Sequence, residues 1–427
     1  MKRYIKTVEV KGLWDVKDIH VNFYEDVNIL IGGNGSGKTT FLRLVEALLN
    51  VDLGAIDDLV FSEVVIIIQG EDDDNSITIQ RIMEDLVSPV YRYIFPDNEV
   101  IDMRSDGRVQ YRSRLSSRSL YQHLKERLDE IVSVSWLSIN RINESSERPE
   151  RRLVDTNRTD VDIKLNLLMT QIVSYRLQLE TKVNERTRKF NEDIVSMMLY
   201  NKSYDTIPSY EEFQKLKGYT TDNIVTELHK VFSYFGDARL HTEEIKTHAE
   251  KIKDIIDKID RRDMSISPDE MLSMSLMNRT AAILKLSAEY QAERAQILEP
   301  IKMYLEIVLQ YFRDKHIEFD SLTSRLVPIV KIGNDRERHL DMNALSSGEK
   351  QLLILLTETL LQQKKPYIFI ADEPELSLHI EWQRNLINSI RSLNPNAQVI
   401  FATHAPEIAA NHPKKLINMQ TATQYVG

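Results

Sequence analysis

The chain has 427 residues, 42% of them apolar and 28% charged, which is typical of a globular protein with a sizeable core. No apolar run approaches the roughly 20 residues of a membrane-spanning helix, no secretory leader is visible, and the absence of cysteine excludes disulfides, thiolate metal sites and a cysteine nucleophile. We therefore expect a cytoplasmic protein, whose net charge of −10 argues against a globally basic nucleic-acid coat but permits a local basic patch.

The first 50 residues predict strands over residues 5–10, 18–23 and 27–31, followed by a glycine-rich loop and a helix over residues 39–49. The third strand is mostly apolar, as strands that are buried on both faces are. Two further strand-like runs between residues 64 and 82 flank an acidic turn and predict a hairpin.

The loop after the third strand reads Gly-Gly-Asn-Gly-Ser-Gly-Lys-Thr and matches the phosphate-binding motif G-x-x-x-x-G-K-[ST] between a strand and a helix. Glycines let successive backbone N–H groups point at phosphate oxygens, and the helix N-terminus adds the positive end of its dipole. We expect Lys38 to reach the β- and γ-phosphates of ATP and the Thr39 hydroxyl to coordinate Mg²⁺. The predicted nucleotide-binding residues of this segment are Gly32, Asn34, Gly35, Ser36, Gly37, Lys38, Thr39 and Thr40.

From about residue 160 the pattern changes to long helices, which are predicted near residues 165–197, 224–235, 243–261 and 268–314. After residue 317, short strands alternate with helices, and this alternation is typical of a parallel α/β sheet. We expect an N-terminal lobe with antiparallel strands over residues 1–140, a helical insertion over 141–320 and a C-terminal lobe over 321–427.

An apolar strand over residues 367–371 ends in the acids Asp372 and Glu373. These carboxylates are expected at the carboxyl edge of a parallel sheet, where open α/β folds bind ligands. Asp372 suits a partner of Mg²⁺, and Glu373 suits the group that orients or deprotonates an attacking water.

The segment Leu-Ser-Ser-Gly-Glu-Lys-Gln, residues 345–351, precedes a predicted helix, and Ser346 and Glu349 have the spacing of a capping box. The segment also resembles the signature Leu-Ser-Gly-Gly-Gln of ABC-type ATPases, with Ser347 in place of the first glycine and Glu349 in place of the glutamine. The family's order continues with the acidic strand and with Phe-Ala-Thr-His-Ala-Pro at residues 401–406. The resemblance implies that His404 is the switch histidine beside the γ-phosphate.

Four motifs, the phosphate loop, the signature, the acidic strand end and the histidine segment, resemble in sequence those of the RecF, SMC and OLD group of ABC-type AAA ATPases. The resemblance covers roughly residues 1–85 and 325–420. The resemblance implies an α/β fold, a P-loop NTPase head interrupted by a long, mainly helical insertion, which hydrolyses ATP with Mg²⁺. It also implies a head-to-tail homodimer, or a higher homo-oligomer, in which Ser346 and Gly348 of one copy meet the γ-phosphate held by Lys38 of the other.

The OLD-like relatives carry a nuclease domain after the ATPase, whereas this sequence continues for 23 residues past His404, so a separate nuclease effector is expected. In this respect the chain resembles the standalone ATPases of the bacterial antiphage systems PARIS and Septu. The function implied is an ATPase that serves as sensor or scaffold of such a system. The alternative is a RecF-like DNA-binding ATPase of repair or chromosome maintenance.

Three further features leave alternatives open. Five arginines between Arg104 and Arg118 could grip nucleic-acid phosphates, or form a solvated loop or a docking surface for an acidic partner. Asn140 or Arg141 could replace the family's glutamine-loop residue. Lys11 and Trp14 are candidates for the adenine contact, or have a structural role.

Overall fold

The computed structural model describes residues 3–70, 73–83, 89–104, 117–131, 134–137, 159–197, 199, 218, 220–260, 268–321, 323–332 and 336–426. The chain divides into two compact units. One comprises residues 1–173 together with 303–427, and the other comprises residues 174–302. The second unit lies within the segment for which the sequence predicts a helical insertion.

The strands are β1 (Tyr4–Leu13), β2 (Lys17–Asn22), β3 (Val27–Ile31), β4 (Glu63–Gln69), β5 (Asp74–Ile82), β6 (Val90–Ile94), β7 (Val100–Arg104), β8 (Val134–Leu137), β9 (His316–Phe319), β10 (Leu326–Ile332), β11 (Arg336–His339), β12 (Tyr367–Asp372), β13 (Ala397–Ala402), β14 (Leu416–Asn418) and β15 (Thr423–Tyr425). The helices are α1 (Lys38–Asn50), α2 (Leu53–Asp57), α3 (Ser117–Ile131), α4 (Asp160–Ser196), α5 (Thr221–Ser233), α6 (Thr242–Asp260), α7 (Pro268–Tyr311), α8 (Ser347–Leu361), α9 (Ile380–Leu393), α10 (Pro406–Ala410) and α11 (Met419–Ala422).

A five-stranded parallel sheet in the order β14-β3-β13-β12-β8 forms the centre of the first unit. All six residues of β13 and four of the six residues of β12 are buried, which explains why these strands read as continuous apolar runs. The predicted parallel sheet is therefore confirmed. Because its strands run in one direction, the residues that follow β3, β12 and β13 meet at one edge.

A seven-stranded sheet in the order β15-β2-β1-β4-β5-β6-β7 is antiparallel throughout. Buried and partly exposed residues alternate along β4, as expected for a strand with one face toward the core. One apolar cluster joins the inner face of this sheet with buried residues of α1 and with Ile368, Ile370, Ile400 and Ala402 of the parallel sheet. Helix α1 thus packs in the core that both sheets share, directly after the phosphate loop.

A buried glutamine also ties the two sheets together. Ile5 N donates to Gln398 Oε1 at 2.9 Å, and Gln398 Nε2 donates to the carbonyl oxygens of Ile5 and Tyr24, each at 2.8 Å. These bonds satisfy all the strong polar atoms of a side chain that is fully buried in β13.

Residues 416–425 pair with both sheets in succession. Strand β14 lies parallel to β3, with Asn418 opposite Ile31, and β15 lies antiparallel to β2, with Tyr425 opposite Lys17. The short helix α11 joins the two strands. Since β13 is the other neighbour of β3, both flanking strands of β3 come from residues 397–418.

Ion pairs attach the first turns of α4 to α8 within the first unit. Lys350 Nζ lies 2.7 Å from Asp162 Oδ1, and Lys164 pairs with Glu358. The hydrogen bond from Lys350, against a smaller effect of burial, lowers the pKa of Asp162 to about 2. Two buried hydroxyl pairs hold the end of α7: Tyr304 shares a hydrogen bond with Thr357 of α8, and Tyr311 with Ser389 of α9.

The second unit is helical and has apolar clusters of its own. In one of them, Phe190 stacks on Tyr290 with ring centroids 4.7 Å apart, and Tyr234 meets both rings edge-on. A second cluster is formed by buried residues of α5, α6 and α7, among them Ile224, Ile252 and Leu284. Over the described part of the chain, no helix combines the length and hydropathy required to span a bilayer.

Candidate active site

The phosphate loop connects β3 to α1 and depends on glycine at two positions. Gly35 has φ of 77° and Gly37 has φ of 94°, in the left-handed region that other residues rarely adopt. Gly37 is also the N-cap of α1, and Phe41 N donates to its carbonyl oxygen at 2.8 Å. The sequence motif is thus placed where a helix N-terminus and curled backbone can receive an anion.

Lys38 is the first residue of α1 and is only 6% exposed. Its Nζ donates to the carbonyl oxygens of Gly32 at 2.8 Å and Gly33 at 3.4 Å. Burial lowers the pKa of Lys38, while the charges of Asp372 and Glu373 oppose this shift. The ammonium is therefore held over the loop next to the two acids that end β12.

Asp372 and Glu373 lie at the carboxyl edge of the parallel sheet. Burial raises the pKa of Asp372, and the neighbouring charge of Glu373 adds to the rise, whereas a hydrogen bond with the Thr39 side chain and the charges of Lys38 and His404 oppose it. Asp372 Oδ1 is buried without a hydrogen-bond partner. The phosphate loop and the acidic strand thus converge on a carboxylate oxygen with free coordination capacity.

Glu373 has a strained backbone, with φ of 46°, and its N–H donates to Ala402 O at the end of β13 at 2.8 Å. Its Oε1 lies 4.0 Å from Nε2 of His404, which follows β13, and both side chains are partly exposed. The base predicted to act on water and the predicted switch histidine are therefore neighbours above adjacent strands.

The signature segment begins α8 with the capping box that its spacing predicts. Ser346 Oγ accepts from Glu349 N at 3.4 Å, and Ser346 N donates to Glu349 Oε2 at 2.8 Å. Lys315 Nζ also lies 2.6 Å from Glu349 Oε1. Burial alone would raise the pKa of Glu349, but the hydrogen bonds with Lys315 and Ser346 outweigh it and lower the pKa.

Gly348 lies directly against the backbone of the loop that follows the acidic strand. A Cβ at this position would lie well inside van der Waals contact of the Ser377 carbonyl oxygen, and Ser377 itself has φ of 72°. Glycine at residue 348 thus allows the start of α8 to approach a strained turn of the chain.

We expect Gly348→Ala to lower the free energy of unfolding by about 1–3 kcal/mol, because two backbone segments must separate to admit the methyl group. Urea denaturation measures this loss. Gly54→Ala is the matched control, since a Cβ in helix α2 would meet only Asp52 Oδ1 at 3.6 Å. A Gly348→Ala protein as stable as the control would contradict the close approach.

The structure brings Lys38, Thr39, Asp372, Glu373 and His404 to one edge of the parallel sheet. Ser346 and Gly348 are not part of this group. Among the described contacts, Ser346 bonds Glu349 and Lys350, Gly348 lies against Ser377, and neither contacts the phosphate loop. Their predicted meeting with the γ-phosphate would need a second copy.

Several candidates lie outside the described residues. They are Asn140, Arg141, Arg108, Arg112 and Arg114, together with the side chain of Arg118. Of the adenine candidates, Lys11 forms an ion pair with Glu63 at 2.8 Å, and the Trp14 ring lies 5.0 Å from Lys17 Nζ.

Sequence reasoning missed Glu375 and Gln351. Glu375 is 7% exposed and accepts hydrogen bonds from the loop that carries His404, and Gln351 Nε2 donates to Pro374 O at 2.8 Å. One signal in the sequence could have pointed to Glu375. It is a second acid two residues after Glu373, and the apolar Leu376 follows it, whereas a solvated turn usually has polar residues.

The family model described as AAA ATPase domain matches residues 1–409. Among curated proteins, the chain is 26% identical over 135 residues to the Retron Vc95 probable ATPase of Vibrio cholerae serotype O1 biovar El Tor, and 31% identical over 101 residues to the Retron Ec83 probable ATPase of Escherichia coli. The matched parts cover 26% and 21% of this chain and 26% and 19% of those relatives.

Two solved structures are similar over most of their length. The Smc head domain of Pyrococcus furiosus, with an extended coiled coil and bound to the C-terminal domain of ScpA, has 16% identity and a TM-score of 0.44, covering 99% of this chain and 96% of that chain. The Smc head domain of Pyrococcus yayanosii, with a coiled coil and joint, has 16% identity and a TM-score of 0.39, covering 96% and 93%.

The phosphate loop at the end of β3, the acids at the end of β12 and the parallel sheet between them form a P-loop NTPase head, and a long helical segment interrupts it. The family model extends across both parts of that head. The chain belongs to the AAA ATPase domain family.

Proposed function

We propose that the chain binds ATP and hydrolyses it to ADP and phosphate, and that it serves as the sensor or scaffold of a bacterial antiphage system that controls a separate nuclease. The observation that carries the catalytic part is the convergence of Lys38, Asp372, Glu373 and His404 at one sheet edge beside the phosphate loop.

Lys38 is the residue that recognises the triphosphate. Its ammonium now bonds two loop carbonyls, and phosphate oxygens would offer it stronger, charge-assisted partners. The loop from Gly32 to Gly37 would contribute backbone N–H groups, and the exposed Thr39 side chain and the partly exposed Thr40 side chain follow on the first turn of α1.

The residues present fit Mg²⁺. Asp372 Oδ1 is a buried carboxylate oxygen without a hydrogen-bond partner, and the Thr39 hydroxyl is close enough to bond the same carboxyl group. Thr39 and Asp372 would hold the ion, since oxygen atoms are the ligands that Mg²⁺ prefers. Bound Mg²⁺ neutralises charge that develops on the transferred phosphate.

Glu373 is placed to orient and deprotonate the attacking water, and His404 is placed to contact the γ-phosphate. Their side chains approach within 4.0 Å, are partly exposed and stand on adjacent strands, so both can reach one reacting group. The hydrogen bond from Glu373 N to Ala402 O holds the backbone from which the carboxylate extends.

A second copy would complete the site. Ser346 caps α8 and Gly348 lies in its first turn. Two large apolar residues suited to an interface are exposed nearby, Leu376 at 46% in the loop after β12 and Ile380 at 52% at the start of α9. We propose a head-to-tail homodimer in which ATP joins the Lys38 site of one copy to Ser346 and Gly348 of its partner.

The two retron relatives are bacterial and each is named as a probable ATPase, which supports the proposal of a bacterial ATPase. In this proposal the protein is cytoplasmic, residues 1–140 and 321–427 are the two lobes of the ATPase head, and the helical insertion, residues 141–320, docks the effector or senses the trigger. Within this insertion, residues 174–302 form a compact unit, and buried residues of α5, α6 and α7 form one of its apolar clusters.

The test combines ATP turnover with partner capture. The purified chain should hydrolyse ATP with Mg²⁺ and stop when EDTA is added, and light scattering should show a dimer that ATP stabilises. A tagged chain expressed with the products of its adjacent genes should retain a nuclease. Absence of turnover under these conditions would reject the ATPase role, and salt-dependent binding of duplex DNA by the chain alone, without a protein partner, would favour the RecF-like alternative.

A further inference from the structure

We propose that Glu375 positions His404 for ATP hydrolysis. This inference rests on the function proposed above, and it assigns a role to an acid two residues beyond the predicted base. Glu375 touches neither the phosphate loop nor the His404 ring among the described contacts, so it would act through the backbone of the loop that follows β13.

A single carboxylate oxygen gathers three donors from that loop. Glu375 Oε1 accepts from Thr403 Oγ1, from His404 N at 3.2 Å and from Ala405 N at 3.2 Å. Ala405 N also donates to Thr403 Oγ1 at 2.9 Å, which closes the loop on itself. The backbone of His404 is therefore held on both sides by residues that share one acceptor.

The Glu375 carboxyl group and its hydrogen-bond partner Thr403 are buried. Glu375 is 7% exposed and Thr403 is 2% exposed, and Glu375 Oε2 is buried without a hydrogen-bond partner. Burial raises the pKa of Glu375, while the hydrogen bonds from Thr403 and from the loop N–H groups oppose the rise. Burying a carboxyl group costs free energy, and the hydrogen bonds from the loop that carries His404 offset part of this cost. We infer that the acid is kept because it positions this loop.

Glu375 is itself fixed from the other side. Gln351 Nε2 of α8 donates to Pro374 O at 2.8 Å, and Leu378 N donates to Glu375 O at 2.9 Å. In contrast, the His404 side chain is 42% exposed, and its neighbour Glu373 stands 4.0 Å away. Among the described contacts the ring has no hydrogen bond, so the point from which it extends is set by the backbone that Glu375 holds.

The first experiment compares Glu375→Ala with Glu375→Gln. The alanine variant loses the acceptor, so we expect kcat for ATP to fall about 10–100-fold, as misplacing a catalytic group by about 1 Å does, while ATP affinity stays within about twofold of the parent. Glutamine keeps an oxygen at the Oε1 position, so we expect Glu375→Gln to retain most of the turnover. Equal losses in both variants, or an unchanged alanine variant, would overturn the proposal.

A double-mutant cycle asks whether Glu375 acts through His404. In a His404→Ala background, adding Glu375→Ala should lower kcat by less than about twofold further, because the group that Glu375 positions is already gone. Multiplication of the two single losses would show that Glu375 acts on its own, and the proposal would fail.

Two additions cover the remaining outcomes. Should Glu375→Ala not fold, Glu375→Asp is used instead, because it shortens the side chain by one methylene. It should show the same selective fall in kcat, and this fall should be absent in a His404→Ala background.

NMR of the protein with carbon-13 in its ten histidine rings gives a readout that does not need turnover, and His404→Gln assigns the His404 signal. We expect Glu375→Asp to shift that signal and Glu375→Gln to leave it in place; an unmoved signal in Glu375→Asp would refute the positioning role. A parent that binds no ATP would instead reject the proposed function.

Discussion

Lys38→Ala is expected to weaken ATP binding by about 100-fold or more. The ammonium would make at least two charge-assisted hydrogen bonds to phosphate oxygens, each worth about 1.5–3 kcal/mol, and 1.4 kcal/mol corresponds to a tenfold change in affinity. Titration calorimetry with ATP measures the change, and circular dichroism checks that the variant still folds, since Lys38 also bonds the carbonyl oxygens of Gly32 and Gly33.

Lys331→Ala is the matched control for this experiment, because Lys331 is an exposed lysine of β10 in the separate three-stranded sheet. It removes one positive charge from the same unit and should leave ATP affinity unchanged. If Lys38→Ala bound ATP as tightly as the control, the phosphate loop would not be the nucleotide site, and the proposed function would fall with it.

Glu373→Gln is expected to bind ATP normally and to hydrolyse it about 100- to 10,000-fold more slowly. Glutamine is nearly isosteric with glutamate but cannot accept a proton, and general-base catalysis contributes a factor of this size. ATP affinity and turnover must both be measured, because the prediction is a loss of kcat with little change in binding. If ATP closes a homodimer, this variant should accumulate it.

Glu337→Gln, in the exposed strand β11, is a charge-matched control and should turn over like the parent. If Glu373→Gln turned over ATP at the parental rate, Glu373 would not be the general base and another group would have that role.

Sequence reasoning placed correctly the elements whose conformation is determined by residues within the same short segment. The phosphate loop is specified by Gly35 and Gly37, which supply positive φ, and the start of α8 by the Ser346 and Glu349 capping box. Strands β12 and β13 could be read as buried because parallel strands covered on both faces are apolar throughout. In each case a segment of fewer than about ten residues contains the whole physical reason.

What the sequence did not predict depends on distant partners. Strands β6 and β7 are held by pairing with β5 and with each other, and β14 and β15 by pairing with β3 and β2. The contacts of Glu375 are of the same kind, since its three donors lie 28 to 30 residues further along the chain. No periodicity marks such a residue, because its role arises only when the parallel sheet brings two strand ends together.

The pairing of β3 has a consequence for biosynthesis. This apolar strand leaves the ribosome long before the two strands that flank it, which are made only after residue 396. Until then both of its edges lack their native hydrogen-bond partners, and such edges are templates for pairing with other chains. We expect truncated products that end before β13 to aggregate, and nascent chains to need a chaperone until β13 and β14 arrive.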